Sequence, residues 1–163
     1  MLSHNEYCQT LDKKVSDFME NTLKVLDPQR AKDFFENKLN FTASPMEIKH
    51  LMDEGEAPHI IDVRSAVDFE MGHIPGALNI PEEKWGDLTL LKKDQTNVIY
   101  CYSHVCHLGA KAAYHFASHD FPVLEMEGGW KAWGEFDLPV EQGLHFEKNF
   151  AAEKALMDFE SAH

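Results

Sequence analysis

The stretch Asn97-Val98-Ile99-Tyr100-Cys101 is an apolar run of β-forming residues. A polar loop follows it, and then residues 108–118, where Leu108, Ala112, Ala113 and Phe116 return at helical spacing. That strand–loop–helix step most constrains the fold, because it repeats. His59-Ile60-Ile61-Asp62-Val63 and Ala77-Leu78-Asn79-Ile80 read as two more short strands, and residues 121–126 as a fourth. Gly128-Gly129 then permits a tight turn into a helix bearing Trp130 and Trp133, two core candidates. Strands alternating with helices predict an α/β fold with a mostly parallel sheet covered on both faces.

The flanks read as helical. Ser44-Pro45-Met46-Glu47 is a capping box opening a helix with Ile48, Leu51 and Met52, which Gly55 ends. Asp27-Pro28 is an N-cap followed by proline at the first helical position. The helix it starts is expected to turn Ala31, Phe34, Phe35 and Leu39 inward. Leu11, Val15, Phe18, Met19, Leu23 and Leu26 form an earlier apolar stripe, and Phe146, Phe150, Leu156 and Phe159 a later one. The expected organisation is a helical N-terminal arm (1–41), a central domain (42–141) and a helical C-terminal arm (142–163). Burying such side chains is worth about 1.5–3 kcal/mol each. The arms therefore either fold back on their own domain or interlock with a second copy. Stripes at both ends favour the homodimer.

Charge narrows the partners. With 15 basic and 28 acidic residues among 163, the net charge is −13. Nucleic acid and anionic membrane surfaces reward the opposite sign, so neither is expected as a partner. No apolar run approaches the roughly 20 residues of a membrane span, and the N-terminus lacks a basic-then-apolar signal pattern. Three cysteines are too few for a disulfide scaffold. The expectation is a cytoplasmic protein with thiols free for chemistry. Arg30 and Arg64 are its only arginines.

In open α/β sheets, sites form outside the carboxyl ends of strands. Cys101 ends the strongest strand, and Tyr102-Ser103-His104-Val105-Cys106-His107 follows as a loop before a helix. Backbone N–H groups and a helix N-terminus stabilise a thiolate there, so the Cys101 pKa is expected to fall. The alternative is a buried structural cysteine at a strand end.

Three separated motifs then resemble one family. Ile61-Asp62-Val63-Arg64, Gly72-His73-Ile74-Pro75-Gly76-Ala77 and Asn79-Ile80-Pro81 resemble the first signature of the rhodanese-like domain. Val98-Ile99-Tyr100-Cys101 resembles its active-site strand. Glu127-Gly128-Gly129-Trp130-Lys131-Ala132-Trp133, followed by Leu138-Pro139-Val140, resembles its C-terminal signature. The resemblance implies a five-stranded parallel sheet flanked by helices. It implies a sulfurtransferase whose catalytic Cys101 accepts sulfane sulfur as a persulfide and passes it to a thiol or other nucleophile, without metal or cofactor. The donor would be a small sulfur compound or a protein persulfide, and the acceptor a thiol.

The loop departs from the family pattern, with His104 where a glycine is common and Cys106 where an arginine is common. Phosphatase relatives of the fold end a longer loop in arginine to grip phosphate. Without that fork, phosphatase activity and arsenate reduction are disfavoured, and thiosulfate turnover is expected to be weak. Cys106 is either a resolving thiol or an inward-packed side chain. His104 and His107 either assist Cys101 or are exposed loop residues. C-x2-H-x-C-H also suits zinc, but structural zinc usually joins two separated segments. Arg64 either positions an anionic substrate or forms a structural ion pair. His73 reads as a turn-stabilising residue, and Cys8 as incidental. The competing function is a non-catalytic or redox-regulatory binding module on the same fold.

Overall fold

The computed structural model describes residues 13, 27–56 and 58–143. Cys8, the stripe from residue 11 to 26 and the stripe from 146 to 159 lie outside the described residues. The chain divides into two units, Met1–Lys38 and Leu39–His163, and the sheet belongs to the second.

Helix α1 spans Pro28–Phe41. Its start follows from Asp27, whose carboxylate accepts the Gln29 N–H at 2.9 Å. The expected inward stripe is not observed: Phe34, Phe35 and Leu39 are 62, 58 and 80% exposed. Spacing decides which residues share a helix face, not what covers that face. The two phenyl rings meet edge to face at 5.2 Å.

Strand β1 is Thr42–Ala43, and α2 is Pro45–Asp53 with both halves of the capping box formed by Ser44 and Glu47. Gly55 follows with φ +80, the left-handed turn that ends the helix. Then come β2 (His59–Asp62), α3 (Ala66–Met71), β3 (Leu78–Asn79), a short 3-10 turn (Glu82–Lys84), β4 (Asn97–Tyr100), α4 (Leu108–Ala117), β5 (Val123–Met126) and α5 (Gly129–Glu135). The five strands lie in the order β1-β5-β4-β2-β3, and every pairing is parallel.

Alternation along the strands divides the core. Ile61, Ile99 and Cys101 pack on one face with Ala112 and Phe116 of α4. Ile60, Val98 and Tyr100 pack on the other with Ile48 of α2 and Trp133 of α5. The central strand β4 is buried throughout and sits between β2 and β5. Its carboxyl end is therefore fixed from both sides and both faces, which is what a site at Cys101 requires.

Candidate active site around Cys101

Cys101 follows β4 directly and is only 3% exposed. Its thiol donates to the Cys106 carbonyl at 3.3 Å, with the Ser103 carbonyl at 3.8 Å. Backbone N–H groups of Gly109 and Ser103 point to the same sulfur and favour its charged form. The Cys101 pKa is nevertheless raised, contrary to the sequence expectation. Burial dominates, and the neighbouring Cys106 thiol adds to it. A strand end covered by a helix start offers donors, but it also removes water.

The loop is folded on itself and clamped from two directions. Cys106 N–H donates to the Ser103 carbonyl at 3.0 Å. From α5, Trp130 N–H donates to the Cys101 carbonyl at 2.8 Å and Lys131 N–H to the Tyr102 carbonyl at 2.9 Å. This contact needs glycine at position 129. Gly129 has φ +58, and a Cβ there would lie 2.4 Å from the Cys101 carbonyl oxygen. From α3, Asp68 accepts the Tyr102 hydroxyl at 2.6 Å, and that hydroxyl accepts Ser65 N–H at 3.1 Å. Hydrogen bonds from Ser65 and then Tyr102 hold the Asp68 carboxyl below its ordinary range.

The loop side chains separate into two sets. Tyr102, His104, Val105 and His107 are exposed, whereas Ser103 and Cys106 are partly buried. Cys101 and Cys106 are both free thiols. His107 occupies the cap position of α4 without a side-chain capping bond. Among the described residues, no three His, Cys, Asp or Glu side chains gather as a metal-holding group.

Arg64 is 2% exposed and turned into the protein. Its guanidinium donates to Asp62 at 2.6–3.1 Å and to the Gly72 carbonyl at 2.7 Å. It lies over the Trp130 ring at 4.3 Å and the Tyr100 ring at 5.5 Å. The Tyr100 hydroxyl donates to Asp62, and burial, then the Asp62 charge, pushes that phenol up. His73, 6% exposed, stacks on Phe69 at 3.7 Å, and its Nδ1 is 2.8 Å from the Phe69 carbonyl oxygen. Tyr100 and Glu125 are two neighbours of the site that sequence reading did not single out. The signal for Glu125 was a carboxylate inside an otherwise apolar strand, Val123-Leu124-Glu125-Met126. Its carboxyl and the Cys101 sulfur both border Gly109: a Cβ there would lie 2.7 Å from Glu125 Oε1 and 3.3 Å from Cys101 Sγ.

Comparison with known proteins matches residues 44–136 to the rhodanese-like domain. The chain belongs to that family. It is 34% identical over 97 residues to a probable adenylyltransferase/sulfurtransferase, MoeZ, of Mycobacterium tuberculosis, covering 58% of this chain and 24% of that protein. It is 26% identical over 92 residues to the thiosulfate sulfurtransferase GlpE of Vibrio cholerae, covering 55% of this chain and 85% of that one. The chain spans less than half the length of the first curated relatives it matches. Among solved structures, the BH2092 protein of Bacillus halodurans superposes with a TM-score of 0.65 at 30% identity, covering 72% of this chain and 88% of that one. Two of these relatives are themselves named as sulfurtransferases. No helix among the described residues is long and apolar enough to cross a membrane.

Proposed function

We propose that this rhodanese-like protein carries sulfane sulfur as a persulfide on Cys101 and passes it to a thiol acceptor. The observation that carries the reading is the sulfur itself, held at the end of β4 with the Gly109 and Ser103 N–H groups directed at it. In the loading step, Cys101 sulfur attacks the sulfane sulfur of a donor R–S–S⁻ and the bond from that sulfur to R–S breaks. The proton that Cys101 gives up ends on the departing R–SH, and the charge rests on the new terminal sulfur. In the unloading step, an acceptor thiolate attacks that terminal sulfur, and Cys101 leaves as a thiolate. No net oxidation occurs in the cycle, and backbone N–H groups are suited to holding a soft anion without a metal.

The donor we propose is a small persulfide or a protein persulfide. Thiosulfate is a dianion, the active-site loop lacks arginine, and the chain's net charge of −13 repels it. Incubation with each donor followed by intact-protein mass spectrometry tests the reading. One added sulfur on the Cys101 peptide is the expected product. The neighbouring Cys106 thiol favours a second role, in which its sulfur attacks Cys101 Sγ of the persulfide, the bond to the terminal sulfur breaks, that sulfur leaves reduced as hydrosulfide with the Cys106 proton, and the two cysteines are left oxidised as a disulfide. A Cys106→Ser protein should then hold its persulfide longer, and equal lifetimes would remove that role.

A further inference from the structure

Glu125 lies on the face of β5 that packs under α4, the same face as Val123, Ile99 and Cys101. Ile99 is its register partner in β4, and Thr42 in β1. It also lines an apolar groove of about 370 Å³ beside Ala110, Ala113 and Tyr114 of α4. A carboxyl in that position gains little from its surroundings. Burial, and then the charge of Glu127, pushes its pKa up, while His107 opposes them. What distinguishes its place is Gly109: the carboxyl and the Cys101 sulfur both border the space of its one missing side chain.

We propose that Glu125 is a positioning residue for the Cys101 sulfur: its carboxylate opposes negative charge on Sγ and so makes Cys101 a poorer thiolate and a poorer leaving group from a persulfide. This rests on the reading of Cys101 as the sulfur carrier. In the free thiolate the charge sits on Sγ, which borders Gly109 together with the Glu125 carboxyl, and repulsion between like charges raises the cost of forming it. The ionisable groups facing this pair are His107 at the start of α4, Tyr114 further along α4, Glu127 beyond the end of β5, and Cys106 in the loop. Among these described groups only the His107 imidazole can carry positive charge toward Glu125.

The test compares the wild type with Glu125→Gln, Glu125→Thr and Glu125→Asp. Alkylation of Cys101 by iodoacetamide is followed by peptide mass spectrometry from about pH 6 to 10. The two neutral variants should shift the alkylation profile down by about one pH unit, a roughly tenfold faster reaction below the wild-type transition. Glu125→Asp, which keeps the charge, should stay close to wild type. Preloaded neutral variants should also lose their persulfide several-fold faster to an added thiol. If Glu125→Gln fails to fold, the β-branched threonine variant, suited to a strand, carries the same comparison. Wild-type profiles in the folded neutral variants would overturn the proposal, as would an equal shift in Glu125→Asp. A shifted profile with no sulfur on Cys101 in any of the proteins would keep the charge coupling and remove the transfer reading instead.

Discussion

Arg64 and Cys101 lie just beyond the ends of neighbouring strands, yet the protein serves them in opposite ways. Asp62 and Tyr100 are register partners, so both residues emerge at the same edge of the sheet. The Arg64 guanidinium is held mainly by side-chain charge and rings, the Asp62 carboxylate and the Trp130 and Tyr100 faces, with the Gly72 carbonyl as one backbone partner. Cys101 is held by main chain, with donors from Gly109 and Ser103 and carbonyl acceptors from Cys106 and Ser103. The planar cation that could grip an anionic substrate is committed to structure. The Cys101 sulfur is left to backbone dipoles, which suit a soft anion and carry no net charge.

That contrast can be broken from the Arg64 side with the largest effect. Arg64→Met leaves the fully buried Asp62 carboxylate without its cation. A loss of about 3–5 kcal/mol in urea unfolding is expected. A loss below about 1 kcal/mol would mean that the ion pair is not what joins these strand ends. Gly129→Ala attacks the Cys101 side through the backbone, because φ is +58 and the new methyl would meet the Cys101 carbonyl. About 1–3 kcal/mol of stability should be lost, together with a changed rate of Cys101 alkylation. Unchanged alkylation would show that α5 does not shape the site. Tyr102→Phe removes the clamp to Asp68 and Ser65 at the loop surface. It should cost at most about 1 kcal/mol, while amide exchange in the loop quickens.

The pH profile of the wild type sharpens the same contrast. Burial raises the Cys101 pKa, so the thiol form persists at neutral pH. Alkylation should therefore reach half its limiting rate above the ordinary thiol value of about 8.5. A transition below that value would mean that the loop N–H groups outweigh burial.

Much of this was written in local sequence, and the omissions share a cause. The run from Asn97 to Tyr100 is buried on both faces, so it shows as a continuous apolar strand with Cys101 at its end. Ser44 and Glu47 announce their helix because a capping box is a contact between near neighbours. Strand β1 escaped notice because two residues at a sheet edge, Thr42 and Ala43, have no period to read. Phe34, Phe35 and Leu39 misled because spacing does not reveal what covers a face. The direction of the Cys101 shift was missed for a different reason. Donor N–H groups follow from strand-then-helix order, whereas burial depends on how residues distant in sequence close over the sulfur. Glu125 needed both β5's facing and the shape of Gly109, neither of which is local to it.

Whether Cys101 Sγ is the atom that takes up sulfur is decided most directly by one comparison. Wild type and Cys101→Ser are incubated with a small persulfide donor and read by intact mass and peptide mapping. The serine variant should keep its fold, since a hydroxyl replaces a thiol of nearly the same size. One added sulfur is expected in the wild type, mapped to Cys101, and none at position 101 in the variant. Sulfur loading of Cys101→Ser to the wild-type level, or a wild-type protein that loads only elsewhere, would contradict Cys101 as the carrier.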